Sequence, residues 1–564
     1  MYKLLKIFCC PLLAAALVSS CKNIDVECPD PQDSVADYTV IFWGMCGGND
    51  RGVAFDMLTL ADNYVSGRIG DNVRISGLVK TTVDLAYPEE EDYDMTFSFD
   101  SGDLSGKTMD LDNFDPETMS EVYDYAFKVL DGRPYADVSY PLNSTDSLAA
   151  FIRRTAEEFP ARNYVLMLLG HGGGFSPAEE APLSKACLYD DYRDDDFLTA
   201  DAVVSAVQKS GVKVQTIFTQ CCLMATLENI AAYSRAFDYG ILAAEVTFSE
   251  YFPEYLVKLS EAGDDEQKMQ AASRALIDYY VGTLSDYPAY YSSHGFYDLR
   301  KTGQLLDAVK DIASWYSGNC KALQEEIENA VSKCIFCDNL EGEDTETLRE
   351  ERKFMQALIN EEDISGLVGD MTFEEFMMDW ALKMSDLVEN SISYGFPMAH
   401  LLKVTAPEIE NSATAAQKAD LQTFTDKYMQ VLKDMAYIRA TPVPLDAGED
   451  YEYIYASPTV NIFGLNELCF IPIMGRNPEE NFTKFMDALD NEDVDTAGEM
   501  MDEMFGGTLF ANEVTLQEAE ANYTSSVFDR EVGWSAFLRQ LEVNPSVLYN
   551  PDRRQINEEE YSGL

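Results

Sequence analysis

Two short stretches of the chain carry the residue types that nucleophilic catalysis needs. Residues 165–175 (VLMLLGHGGGF) end an apolar run in His171 and three glycines, and residues 212–224 (VKVQTIFTQCCLM) end another in Cys221 and Cys222. A cysteine attacks a carbonyl only as its thiolate, a form favoured by a nearby imidazole or helix N-terminus. Glycines after a histidine let the backbone turn tightly and free its N–H groups for developing negative charge. One well-aimed donor of that kind contributes about 3–4 kcal/mol to a transition state. Of the 3 histidines, His294 (SSHGFYDL) and His400 (PMAHLLK) have no nucleophile close in sequence and read as structural, which leaves His171 as the candidate base. Residues 223–236 read as a helix, so Cys222 sits where a helix dipole would favour its thiolate. Cys221 points to the other side of a strand and reads as packing.

The elements that position these residues follow from the pattern around them. Apolar runs rich in Val, Leu and Ile, without alternation, indicate parallel strands buried on both faces. In open α/β sheets, reactive groups collect at the carboxyl ends of such strands. His171 and Cys222 therefore sit on two strand tips, separated by 51 residues, which leaves room for one crossover. Further strands are expected at 37–43, 73–82, 95–99 and 239–244, with a glycine-rich turn at 44–50. Helices are expected at 53–65, 115–130, 143–159 and 199–208. This alternation predicts a doubly wound, mostly parallel α/β sheet with flanking helices. Beyond residue 303 the pattern becomes mostly helical, with helices at 304–317, 320–331, 354–359, 373–390 and 414–436. Strand-like sequence returns at 460–473, and helices at 477–488 and 534–541 close the chain.

Composition and the chain start narrow the setting. There are 99 acidic residues against 41 basic ones, a formal charge of −58, which argues against nucleic-acid partners. Lys3 and Lys6 precede an apolar stretch at 7–18 that is short for a membrane span. Val18-Ser19-Ser20-Cys21 resembles the lipobox of bacterial lipoproteins. That resemblance implies cleavage before Cys21, lipid on Cys21, and no membrane contact beyond the lipid anchor. Lys22 after the cysteine points to the outer membrane or cell surface of a bacterium. The expected organisation is a signal peptide at 1–20, a tether at 21–36, a catalytic domain at 37–302, a helical accessory region at 303–459 and a strand/helix region at 460–564. Of 12 cysteines, Cys9 and Cys10 leave with the signal and Cys21 is lipidated, so an odd number remains and at least one thiol is free. Cys334 and Cys337 have redox or zinc spacing, but with no second pair nearby they read as a local disulfide or two thiols.

The motifs then converge on a family. LMLLGHGGGF resembles the L-x-L-W-x-H-G-x-G-W pattern of clostripain-like cysteine peptidases, in the clan of caspases, legumain and gingipains. TQCCLMATLENIAAYSRAFDYGILAAE resembles that family's D-A-C-L-M-A-x-x-E…Y…A-S-E segment. TVIFWGMCGGND is similar to its opening strand, CLYDDYRDDDFLT to its Y-D-D…L-T connection, HGFYDLRK to S-x-x-D-L-S, and GWSAFLRQL to a closing W-x-x-F-L. The resemblance implies a caspase-like fold and hydrolysis of peptide bonds in a peptide or protein substrate. It implies His171 as general base and acid, Cys222 as nucleophile, and the Gly172 and Cys222 N–H groups as oxyanion donors. The family usually has Asp two residues before the cysteine, at the base of a pocket for Arg or Lys; here that residue is Gln220. Strict Arg/Lys preference is therefore not expected, and Glu245 is the candidate to restore acidity. No cofactor and no metal site is expected, although the acidic Asp190, Asp191, Asp194, Asp195 and Asp196 leave calcium open, since some relatives require it. The loop at 176–185 is where some relatives are cleaved. An esterase reading of HGGG lacks a G-x-S-x-G elbow. The remaining alternative is a catalytically inactive binding lipoprotein on a peptidase scaffold.

Overall fold

A computed structural model describes residues 35–46, 53–83, 93–109, 111, 114, 119–134, 139–175, 188–189, 197–244, 247, 252–284, 292–335, 395–441, 443, 448–461 and 523–541. A nine-stranded sheet runs through the molecule in the order β12 (Ala436–Thr441), β10 (Ser292–Asp298), β9 (Tyr239–Leu242), β8 (Thr216–Gln220), β5 (Ala161–Gly170), β1 (Ala36–Cys46), β2 (Val73–Val83), β3 (Tyr93–Asp100), β4 (Arg133–Pro134). The central strands from β2 to β9 pair in parallel, and antiparallel strands extend both edges. Two small ribbons complete the strands, β6 (Leu188–Tyr189) with β7 (Phe197–Leu198) and β11 (Gly395–Pro397) with β13 (Thr459–Asn461). The α/β class, the mostly parallel centre and a largely helical C-terminal part are as the sequence pattern implies.

The apolar runs are continuous because both faces of the central strands are covered. Ile41, Trp43, Met45, Leu166 and Leu168 face one layer of helices, while Val40, Phe42, Val165, Met167 and Leu169 face the other. Burying each large apolar side chain stabilises the fold by roughly 1.5–3 kcal/mol. Trp43 shows how a polar tip is accommodated there. Its indole N–H donates to the Leu142 carbonyl at 3.0 Å, and its ring tilts against Phe151 at 5.4 Å. Phe151 belongs to the Thr145–Glu158 helix, which starts where the Ser144 side chain accepts from the Ser147 N–H. The crossover from β5 to β8 is the Ala200–Ser210 helix, capped by Thr199 and ended by left-handed Gly211.

Three departures from the sequence reading matter. Gly44, Met45 and Cys46, expected in a turn at 44–50, belong to β1, paired on one side with β2 and, as far as Met45, with β5 on the other; residues 47–50 lie outside the described residues. The helix expected at 223–236 is confined to Leu227–Tyr233. The C-terminal part is not purely helical, since β12 follows directly on the Ala415–Met435 helix and closes the sheet against β10. The sheet therefore crosses the change in element composition at residue 302. Helices at Phe252–Ala262, Glu266–Leu284 and Met398–Glu408 add to those expected. Residues 1–34, the loop 176–185, the acidic residues 190–196, Glu245, Cys337, 462–473 and the helices expected at 354–359, 373–390 and 477–488 lie outside the described residues. Among the described residues, no helix is long and apolar enough to cross a membrane.

Gly170 closes β5 under a constraint that only glycine meets. Its φ is +137°, and a methyl group there would stand 2.0 Å from the Met45 carbonyl oxygen. Left-handed Gly211 has open space around the same position. Gly170→Ala should therefore cost at least about 3 kcal/mol and Gly211→Ala about 1 kcal/mol. Urea unfolding of the two variants beside the parent chain checks the order.

Candidate active site

The site is assembled by one strand pairing. β5 and β8 are parallel neighbours in register, with Leu169 opposite Gln220 at their carboxyl ends. The chain beyond each tip then carries the candidate residues, His171 after Gly170 and Cys222 after Cys221. His171 is half-buried and its Nε2 is shielded from solvent. Gly172 lies directly against the cysteine. A methyl group on it would come within 2.3 Å of the Cys222 carbonyl oxygen and 2.9 Å of the Cys222 nitrogen. Gly174, at φ +79°, turns the loop back across the chain that follows Cys222, with Leu223 and Thr226 as its nearest neighbours. The structure thus places Gly172, which follows His171 in the chain, against the Cys222 backbone.

Cys222 is half-buried, and its sulfur meets Thr247 from three directions. The Thr247 N–H donates to Sγ at 3.3 Å, and Sγ lies 3.8 Å from the Thr247 hydroxyl and 3.9 Å from its carbonyl oxygen. A backbone donor aimed at sulfur favours the thiolate. Cys221 is fully buried in the core, with its Sγ 3.7 Å from the Leu168 carbonyl oxygen, which fits a packing role.

The helix after the cysteine starts later than its periodicity suggests. Leu223 adopts φ +62°, a left-handed conformation that a branched side chain rarely takes and that stops helix formation there. The Ala225 N–H donates to the Ala243 carbonyl oxygen at 2.6 Å, and the Ala225 carbonyl accepts from the Thr459 N–H at 3.0 Å. Both groups are thereby withdrawn from helical bonding. Thr226 then caps the Leu227–Tyr233 helix by accepting from the Asn229 N–H. Cys222 lies well before that helix, so the direct help expected from its dipole is replaced by the Thr247 N–H.

Three residues that the sequence reading left without a role hold these segments. Asn229 is buried, and its Nδ2 donates to the Gly174 carbonyl at 3.2 Å and to the Met224 carbonyl at 3.3 Å. It ties the glycine loop to the turn after Cys222. Glu228, within the CLMATLE segment, is buried and accepts from the Tyr523 hydroxyl at 3.0 Å. Tyr523 also sets its ring edge-on to Phe175, with centroids 5.9 Å apart. Asn229 and Glu228 are visible as polar residues in an otherwise apolar helix. Tyr523 has no local signal.

Gln220 is buried at the last position of β8, on the strand face shared with Phe218. Glu245 and Cys21 lie outside the described residues, and so does the acidic cluster considered for calcium. His294, on β10, and His400, on the Met398–Glu408 helix, are both buried. His294 stands edge-on to Tyr280 at 4.5 Å, and His400 packs on Tyr455 at 4.8 Å. Burial pushes His294 down to about 4, and burial with nearby Lys403 pushes His400 down to about 3. Cys334 is buried at the end of the Gln324–Ile335 helix.

Comparison with known families decides the class. Residues 134–401 match the model of the clostripain family of C11 peptidases, a span that includes both His171 and Cys222. The chain is a cysteine-type endopeptidase whose residues 134–401 are similar to the clostripain family. No curated protein matches it. Among solved structures it is similar to a secreted C11 cysteine protease from Bacteroides thetaiotaomicron, "iotapain", at 11% identity and TM-score 0.40 over 76% of this chain and 94% of that one. It is similar to an inactive zymogen C11 protease from Parabacteroides distasonis at 14% identity and TM-score 0.39, over 88% of this chain and 98% of that one. A secreted Bacteroides thetaiotaomicron C11 cysteine protease in complex with an irreversible peptide inhibitor gives 12% identity and TM-score 0.40, over 82% and 100%. β1, β2, β3, β12 and Tyr523 fall outside the matched span.

The buried histidines make acid stability testable. Both are neutral when folded, whereas an unfolded histidine takes a proton near pH 6.5. The unfolded chain therefore binds more protons below that pH. The stability from keeping these groups neutral is complete above about 6.5 and falls as pH drops toward 4. His294→Gln should reduce the parent chain's loss between pH 6.5 and 4 by on the order of 3 kcal/mol. Urea unfolding at stepped pH, read as parent minus variant, measures it.

Proposed function

We propose that this enzyme hydrolyses peptide bonds through a Cys222–His171 dyad, at a cell surface to which Cys21 anchors it by lipid. The parallel β5–β8 pairing, which delivers both residues at neighbouring strand tips, carries the reading. The Cys222 thiolate attacks the scissile carbonyl carbon, and the carbonyl oxygen takes the negative charge. The N–H groups of Gly172 and Cys222 receive that charge. Collapse breaks the C–N bond, and the imidazolium of His171 gives its proton to the leaving amine. A water deprotonated by His171 then attacks the thioester, releasing the acid and restoring the thiol. The contact of Gly172 with the Cys222 backbone supports this donor pair, and the Thr247 N–H on sulfur supports a thiolate at rest.

Substrate choice follows from Gln220. A basic P1 side chain is worth desolvating when a carboxylate receives it, and an amide at that position forgoes several kcal/mol of such pairing. The preference therefore shifts from strict Arg/Lys toward polar or small P1 side chains, with Glu245 able to restore some acidity where it lines the pocket. Functionally the chain divides into a signal at 1–20, a tether at 21–36, a catalytic part at 37–302 and two supporting regions at 303–459 and 460–564. The outer membrane or cell surface is the proposed site of action.

Cys222→Ala and His171→Ala should each lower kcat/KM on a peptide substrate by about a thousandfold or more while leaving the fold intact. A parent chain that neither cleaves peptides nor reacts with a thiol-directed peptide probe would instead mark a binding protein on a peptidase scaffold. In a positional-scanning library, P1 Arg and Lys should not dominate; a strong Arg preference refutes the specificity reading.

A further inference from the structure

The turn that carries Cys222 is gripped by chain from far downstream. Thr459, on β13, donates its N–H to Ala225 and forms a parallel bridge opposite Thr226. Tyr523 is 295 residues from Glu228 along the chain, yet the two make a fully buried hydrogen bond. The same tyrosine ring packs on Phe175, the residue that follows the glycines after His171. One side chain therefore touches both segments that bear the dyad, the loop 171–175 and the chain 222–228.

The segment that supplies Tyr523 is firmly built. Its Val527–Val532 helix is capped by Ser526, and the Asp529 carboxylate accepts from both the backbone N–H and the hydroxyl of Ser535 at 2.7 Å. Phe528, Trp534, Phe537 and Leu538 are fully buried beneath it, and the helix packs across Leu227–Tyr233. A carboxylate buried as deeply as Glu228 is costly unless its hydrogen bonds are directional and kept. An apolar pair would dock the segment at lower cost; the tyrosine–glutamate bond additionally fixes where the helix after Cys222 stands relative to Phe175. Asn229, next to Glu228, makes the matching tie from the other direction, between Gly174 and Met224.

We propose that Tyr523 is a positioning residue for peptide hydrolysis, setting the distance between the His171 loop and the Cys222 turn through its Glu228 hydrogen bond and its Phe175 contact. It acts through those residues and does not touch substrate. The proposal rests on the Cys222–His171 assignment made above. In its terms, the region after residue 460 completes the active site.

The test compares the full chain with Tyr523→Phe, which keeps the ring against Phe175 and removes the hydroxyl. Glu228→Gln keeps an acceptor for that hydroxyl and serves as the conservative control, and Cys222→Ala as the inactive one. Peptide hydrolysis and thermal unfolding are read on each, and the pH dependence of Cys222 alkylation by iodoacetamide on every chain that keeps Cys222. Tyr523→Phe should lower kcat about tenfold with KM within twofold, shift the alkylation profile to higher pH, and unfold within a few degrees of the parent. Glu228→Gln should keep kcat within threefold. A Tyr523→Phe chain with the parent's kcat and alkylation profile overturns the proposal, as does a loss of kcat that only tracks the fraction unfolded. If Cys222→Ala keeps the parent's activity, the dyad assignment fails and the positioning role fails with it; if Cys222→Ala is inactive while Tyr523→Phe matches the parent, only the positioning role fails.

Discussion

The geometry of this molecule depends on the pairing of β5 with β8. A parallel pair held in register by Leu169 opposite Gln220 ends both strands at the same height. The residues of the proposed dyad follow within a few positions of that line. A one-residue slip in the pairing would move His171 relative to Cys222 by about 3.3 Å along the strands and exchange which side chains face each layer. The burial of Leu166, Met167, Leu168, Ile217 and Phe218 on the two faces prevents the slip. Core packing therefore sets the register, and the register sets the site.

Around that line the backbone is pressed close. Gly170 lies under the Met45 carbonyl, Gly172 lies against the Cys222 backbone, and Leu223 holds a left-handed conformation just beyond the cysteine. Such conformations persist only where neighbouring contacts over-determine them. Here those contacts are the Ala225 bonds to Ala243 and Thr459 and the Asn229 amide between two carbonyls. The arrangement leaves Cys222 Sγ at the mouth of the turn, facing Thr247.

Much of this was legible from residue patterns, and the exceptions have physical causes. β1 and β5 carry apolar runs with both faces buried, so their hydrophobicity announces them. β10 reads SSHGFYD, and β12 reads AYIRAT; Ser292, Ser293, His294 and Thr441 are buried by neighbouring strands and helices that no local pattern reveals. Helical periodicity from Leu223 onward hides a turn, because Leu and Met side chains pack equally well in either form while Thr226 alone marks the cap. The His–Cys pair was visible because both residues end conspicuous strands. Thr247 and Tyr523 were not, since their roles rest on contacts between distant parts of the chain.

β12 has a consequence for how the molecule comes into being. The edge of the sheet beyond β10 is completed by residues 436–441, which emerge only after most of the chain has been made. Until they arrive, β10 presents unpaired N–H and C=O groups along one side, an edge that other strands can join. A chain cut short before this point would carry both strand tips and the cysteine, yet with an open edge beside them. Completion of the sheet, and the contacts of Thr459 and Tyr523 with the chain after Cys222, therefore form only once these downstream segments have been made.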